Sequence, residues 1–226
     1  MKLVALGDSV IKGVVLHKEN KGNRYSLVDK SIVEYCANKL GGESVNLGKM
    51  GCTIEVCERI LDRHIDELTD SEYVLLECGG NDSDYDWLSI AKNPNLEHLP
   101  NTPLERFVCA YVRIINKVIQ KGAKPIILSL PPMNADKYFE FVSAKWSNEL
   151  RNNMLSWLGG TTNTIISGHE LYNQATILVA QRTGAQWIDV MTILQNDNQS
   201  YLCEDGIHPN ELGQRRIADM ILSVLR

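Results

Sequence analysis

The sequence predicts a single doubly wound α/β domain over residues 1–226, with a parallel sheet covered on both faces. Three observations lead there. Short apolar runs of strand length alternate with stretches of helical periodicity, giving five strands. Several of these runs stop at glycine followed by polar residues, as strands do at the sheet edge where ligands bind. No internal repeat or low-complexity linker divides the 226 residues, which suffice for one substantial core.

Taken in order, residues 2–6 are a buried strand that ends at Gly7-Asp8-Ser9. Residues 26–40 carry apolar side chains at helical spacing and stop at Gly41-Gly42. A short strand over residues 43–47 runs into a loop with Gly48 and Gly51, and Thr53 can cap a helix to about residue 68. Residues 73–78 form a strand interrupted only by Glu77 and broken at Gly79-Gly80-Asn81-Asp82. A long polar loop follows. Thr102-Pro103-Leu104-Glu105 has the form of a capping box and opens a helix to about residue 121. Residues 125–130 are the fourth strand, residues 145–158 and 168–183 helices, and residues 186–190 the last strand. Asn210 can cap a final helix to about residue 225.

Composition narrows the function. The hydrophobic content of 44% and charged content of 23% are those of an ordinary globular protein. A net charge of −5 without a Lys/Arg cluster argues against a nucleic-acid partner. No apolar run approaches the roughly 18 residues of a membrane span, and the run after Lys2 is too short for a secretion signal, so the expected location is cytoplasmic. The six cysteines include no C-x-x-C pair. They are expected to be reduced thiols, with no metal site and no disulfide framework.

The chemistry lies at the strand ends. In a parallel sheet Ser9, Gly51 and Asn81 fall at one edge. Serine is a weak nucleophile until a base takes its proton. An acyl-transfer intermediate also needs donors for its oxyanion, which the Ser9 and Gly51 backbone N–H groups and the Asn81 side chain can supply. Gly-Asp-Ser alone reads as a turn. Of five histidines, His17, His64, His98 and His169 stand on helices or polar loops and read as surface or hydrogen-bonded groups. His208 differs: Asp205-Gly206-Ile207-His208-Pro209 is a tight turn that can return the carboxylate to one imidazole nitrogen and leave the other facing outward.

The combination resembles the SGNH (GDSL-type) hydrolases over nearly the whole chain. Gly7-Asp8-Ser9, Asn46-x-Gly48-x-x-Gly51, Gly79-Gly80-Asn81-Asp82 and Asp205-x-x-His208-Pro209 match its four blocks in order. Val10 stands where leucine is common. The resemblance implies a flavodoxin-like α/β/α fold with strand order 2-1-3-4-5, serine esterase or acylhydrolase activity, and no cofactor. Carried over, Ser9 is the nucleophile, His208 the base and Asp205 the orienting acid, with Ser9, Gly51 and Asn81 forming the oxyanion hole.

Asp82, Tyr85 and Trp87 are candidate substrate-binding residues, because acids and aromatic rings alternate after Asn81. Tyr138, Phe139, Phe141 and Trp146 supply either an opposite wall or core packing. With no long apolar lid, the expected partner is a small neutral ester, including O-acetyl groups on carbohydrates. Rival readings are an acyltransferase with the same triad, a lysophospholipase or thioesterase, and a phosphate-binding module. The last conflicts with Asp8, whose charge would repel phosphate, and with the lack of a Gly-Lys-Ser/Thr ending. No G-x-S-x-G of an α/β-hydrolase is present. Residues 82–93 open like a calcium loop but have Trp87 where glycine is needed and Asn93 where glutamate is needed. Asp189 is a spare acid with a structural role.

Overall fold

The computed structural model describes residues 1–19, 22–195 and 200–225. The chain enters on β1 (Lys2–Gly7), makes one helical turn, α1 (Ser9–Lys12), and then a hairpin of β2 (Val14–Glu19) and β3 (Gly22–Leu27). Helix α2 (Ile32–Leu40) leads to β4 (Glu43–Asn46). Helix α3 (Ile54–Arg63) and a 3-10 turn (Ile65–Leu68) lead to β5 (Tyr73–Glu77). Then come α4 (Gly80–Ser83), α5 (Trp87–Lys92) and α6 (Leu104–Gln120). After β6 (Lys124–Leu128) follow α7 (Ala135–Ser143), α8 (Asn148–Trp157) and α9 (Asn163–Thr183). Strand β7 (Gln186–Ile188) precedes α10 (Val190–Gln195) and α11 (Glu211–Leu225).

Five strands form one parallel sheet in the order β4-β1-β5-β6-β7, the flavodoxin-like order. Alternation along the strands explains the continuous apolar runs. Val4, Leu6, Val74, Leu76 and Ile127 face a core shared with α3, α6 and α9. Leu3, Ala5, Leu75, Ile126 and Leu128 face another, shared with α2 and α11. Three fully buried thiols fill the first core beside the glycine loops, with Cys57 Sγ 3.0 Å from Cys52 Sγ and 3.3 Å from Cys78 Sγ.

Three local expectations are corrected. The helix expected over residues 26–40 begins at Ile32: Ser26 and Leu27 belong to β3, and Ser31 forms the capping box with Glu34. The box expected at Thr102 is absent. Thr102 is buried with its side chain on Asp82, and Pro103 precedes the first helical residue. Helix α5 interrupts the polar loop expected after Asn81, and the hairpin and α7 fall largely in stretches to which the sequence assigns no element. The two helices are short and each begins at a local cap: Asp86 Oδ1 accepts from the Ser89 N–H at 3.1 Å, and Asn134 Oδ1 from the Lys137 N–H at 3.0 Å.

Helices α3 and α6 are tied by a charged network. Glu58 accepts from Arg113 at 2.6 Å and from Lys117 at 3.1 Å, and Lys117 also reaches Asp62 at 2.6 Å. The Arg113 hydrogen bond, chiefly, holds the Glu58 carboxyl at about 2. A carboxyl depressed in the folded state contributes stability above its unfolded value near 4.5 and loses it as pH falls toward 2. Glu58→Gln is therefore expected to be less stable than the parent at pH 7 by about 1 kcal/mol, or about 2–4 °C in Tm. The difference should vanish in melts recorded between pH 4.5 and 2. A constant difference over that range would assign the effect to packing.

Candidate active site

The C-terminal ends of β1 and β5 converge because Gly7 has no side chain: a Cβ there would lie 2.3 Å from the Glu77 carbonyl oxygen. Asp8 follows. Its Oδ1 caps α1 by accepting the Val10 N–H at 2.8 Å, and its Oδ2 accepts from Asn81 Nδ2 at 2.8 Å. The same carboxylate thus sets the turn carrying Ser9 and orients Asn81. The loop after β4 is held against them by Asn46, which donates to the Ile11 carbonyl at 2.9 Å and accepts from the Gly48 N–H at 2.9 Å. That loop brings Gly51, at φ +70°, to the cavity wall. The backbone N–H groups of Ser9 and Gly51 have no hydrogen-bond partner among the described residues. They are free donors beside the Asn81 amide.

On the other side of Ser9 the turn before α11 brings up Asp205 and His208. His208 Nε2 lies 2.9 Å from Ser9 Oγ, and His208 Nδ1 lies 2.7 Å from Asp205 Oδ2. Asp205 Oδ1 accepts the N–H groups of Ile207 and His208, each at 3.1 Å. Burial works against the Asp205 charge, but the hydrogen bond and proximity of His208, with those N–H groups, hold its carboxyl below the usual range. Asn210 Oδ1 caps α11 through the Gly213 N–H at 2.9 Å.

Tyr25, a residue without a motif, reaches this centre from the hairpin. Its hydroxyl donates to Asp205 Oδ2 at 3.2 Å, and its ring stands edge-on to His208 with centroids 5.3 Å apart. The only sequence signal for it is an aromatic residue in an alternating stretch. Beneath the site Asp8 and Glu77 form a buried carboxyl pair. Burial raises both, and Glu77, raised further by Asp8, keeps its proton.

A cavity of about 260 Å³ opens on this edge. Ser9, His208, Gly51 and Asn81 line it, together with Tyr25, Tyr85, Asp84, Tyr138, Phe141 and His169. Of the candidate substrate-binding residues, Tyr85 is on the wall, but Asp82 and Trp87 are not. Asp82 is fully buried and accepts the Ile54 N–H at 3.0 Å, serving the start of α3. Trp87 is buried with its Nε1 on Asp84 Oδ1 at 2.9 Å. Both corrections follow from α4 and α5, whose helical turns bury Asp82 and Trp87 on their inner faces. Tyr138 and Phe141 form the opposite wall, whereas Phe139 and Trp146 join the core. His17 and His64 are exposed, and His98 bonds the Asn93 carbonyl at 2.9 Å. His169 is buried and has no hydrogen-bond partner among the described residues. Asp189 caps α10 through the Thr192 N–H at 3.0 Å. Among the described residues no cluster of His, Cys, Asp or Glu is built to hold a metal ion, and no helix is long and apolar enough to cross a membrane.

A serine bonded to a histidine and a buried aspartate, with free donors beside it at the edge of a parallel sheet, defines a serine hydrolase of the acyl-transfer type. The chain belongs to the GDSL-like lipase/acylhydrolase family, whose model matches residues 5–216, and it is an enzyme acting on ester bonds. A search of curated proteins finds no match. Among solved structures it is similar to a lipase/acylhydrolase from Enterococcus faecalis, at 16% identity and a TM-score of 0.68, covering 99% of this chain and 94% of that one. An aryl esterase from M. smegmatis aligns at 13% identity and a TM-score of 0.65, covering 100% and 98%. A catalytic mutant of an acetylxylan esterase from Geobacillus stearothermophilus aligns at 16% identity and a TM-score of 0.60, covering 98% and 92%.

Tyr25→Phe keeps the ring beside His208 and removes only the hydroxyl. We expect kcat to fall about tenfold with KM unchanged, the effect of losing one hydrogen bond to a charged group. Steady-state kinetics on a small ester check this; an unchanged kcat would mean that the three remaining donors suffice to orient Asp205.

Proposed function

We propose that the protein is a serine esterase that cleaves small, neutral carboxylic esters through an acyl-enzyme intermediate. The observation that carries this reading is the continuous line from Ser9 Oγ through His208 to Asp205, at 2.9 and 2.7 Å, at the mouth of a small cavity. His208 Nε2 takes the Ser9 proton as Oγ attacks the ester carbonyl, and Asp205 steadies the imidazolium that results. The oxyanion is met by the Ser9 and Gly51 N–H groups and by Asn81, whose amide is already fixed by Asp8. Collapse of the tetrahedral intermediate releases the alcohol, with His208 returning the proton. Water then repeats the sequence on the acyl-serine and frees the acid. The cavity volume supports short acyl groups, and the likeness to an acetylxylan esterase makes O-acetyl esters of carbohydrates the leading candidates. Transfer of the acyl group to an alcohol instead of water uses the same residues, and added alcohol acceptor distinguishes the two by product analysis.

Ser9→Ala and His208→Ala are each expected to abolish turnover of 4-nitrophenyl acetate while the fold is retained, and a serine-directed phosphonate should label Ser9 in the parent only. Asp205→Ala should keep more activity than either, because the acid orients without moving a proton. Undiminished turnover by purified Ser9→Ala would remove the mechanism. Asn81→Ala is expected to lower kcat by about 10²–10³, the usual effect of losing one oxyanion donor. If only KM changes, Asn81 acts in binding alone. Across esters of graded chain length, kcat/KM should be highest for acetate and fall for long acyl chains. The opposite order would exclude the small-ester assignment.

A further inference from the structure

One residue on the cavity wall has no role in the line from Ser9 to Asp205. Helix α9 turns Ile165, His169, Tyr172, Asn173 and Thr176 inward, the spacing of one helical face. The polar members of that face are bonded within the protein, with one exception. The Tyr172 hydroxyl donates to the Thr102 carbonyl. Asn173 Oδ1 accepts the Leu130 N–H at 3.0 Å, and Thr176 Oγ1 accepts from Trp187 Nε1 at 2.9 Å. His169 is 9% exposed, lines the cavity, and has no hydrogen-bond partner among the described residues.

A leucine would fill this position without the cost of desolvating two ring nitrogens. Burial lowers the His169 imidazole to about 4, so at neutral pH it is an uncharged ring with one N–H donor and one acceptor. Beside it is Tyr85, also on the cavity wall. Its hydroxyl lies 4.0 Å from where a Cβ on Gly168 would stand, and it too has no hydrogen-bond partner among the described residues. Asp84 stands on the same wall but is occupied, accepting from Tyr138 at 2.6 Å and Trp87 at 2.9 Å.

We propose that His169 is a substrate-binding residue whose imidazole, facing the cavity without a protein partner, takes a neutral oxygen function carried by the ester away from its scissile carbonyl. This rests on the esterase reading and names its substrate class: esters bearing a hydroxyl, ether or carbonyl oxygen on an otherwise apolar segment. The neutral ring gives no Coulombic reward to a carboxylate or phosphate, and the Asp84 carboxylate disfavours both.

The test uses isosteric pairs, with an oxygen replacing one methylene. On the acyl side they are 4-nitrophenyl hexanoate and 4-nitrophenyl 4-methoxybutanoate; on the alcohol side, pentyl acetate and 3-methoxypropyl acetate. The parent should prefer the oxygenated member of one pair by about tenfold in kcat/KM. His169→Phe should erase that preference by raising KM for the oxygenated member alone, and His169→Gln should restore part of it. The same ratio in the parent and His169→Phe would overturn the proposal, as would an equal fall in kcat on both members of each pair, which marks a structural role. The esterase reading is judged separately, by comparing the parent with Ser9→Ala on 4-nitrophenyl acetate. Calorimetry on Ser9→Ala with and without His169→Phe, using the same esters, reads binding without turnover; equal affinities for the oxygenated ester would also overturn the role of His169.

Discussion

The carboxylate of Asp8 joins two strand ends that the sheet alone brings only near each other. Its two oxygens are committed, one to the Val10 N–H and the other to Asn81, each at 2.8 Å. The first fixes the turn that carries Ser9, and the second fixes the amide on the far side of the reacting carbonyl. A hydroxyl and a donor on separate loops would otherwise have to be ordered at each turnover, and holding them in advance is where such a site gains rate. The cost is a buried charge close to a developing oxyanion. Glu77 moderates it: forced by burial and by Asp8 to keep its proton, it can donate to Asp8 without adding a second negative charge.

The acid end follows the opposite strategy. Asp205 keeps its charge because donors surround it: two backbone N–H groups on Oδ1, and His208 and Tyr25 on Oδ2. Three of these come from the turn itself. The fourth arrives from the hairpin inserted between α1 and α2, which also meets the turn where the Leu16 N–H points at Cys203 Sγ, 3.3 Å away. The hairpin is outside the parallel sheet, and its β2–β3 pairing is not what contributes. Its contribution is one tyrosine that lines the cavity and steadies the acid.

The parallel sheet was legible in the sequence because its three central strands are buried on both faces and read as apolar runs, and the strand order follows the family resemblance. The residues that meet around Ser9 were legible for a different reason: each stands in a short block of recognisable form, although Ser9 lies 199 residues from His208 and Asn81 73 residues from Asp8. Tyr25 and His169 lack that property. Tyr25 meets Asp205 from 180 residues away, and His169 has no hydrogen-bond partner among the described residues, so neither spacing nor composition distinguishes them from ordinary aromatic and polar residues. The same blindness affected the loop after Asn81. Alternating acids and aromatics suggest a shared surface, but α4 and α5 send Asp82 to the Ile54 N–H and Trp87 into the core, so that of these acids and rings Asp84 and Tyr85 reach the cavity.

That sorting changes the electrostatic argument about the substrate. Three acids on one loop would make a strongly negative rim. Asp86 instead caps α5 through the Ser89 N–H at 3.1 Å, and Asp82 is sealed behind the wall, where burial raises its carboxyl to about 7. Asp84 alone remains at the cavity, with both oxygens already accepting from Trp87 and Tyr138. Its field still opposes an anion, but it has little capacity left to bind sugar hydroxyls. On the proposed reading, recognition of a polar substrate therefore falls to the groups on that wall with unused capacity, the Tyr85 hydroxyl and the His169 ring, both of which are neutral at pH 7. Selectivity built on such groups depends on hydrogen-bond geometry, and so should change little with ionic strength.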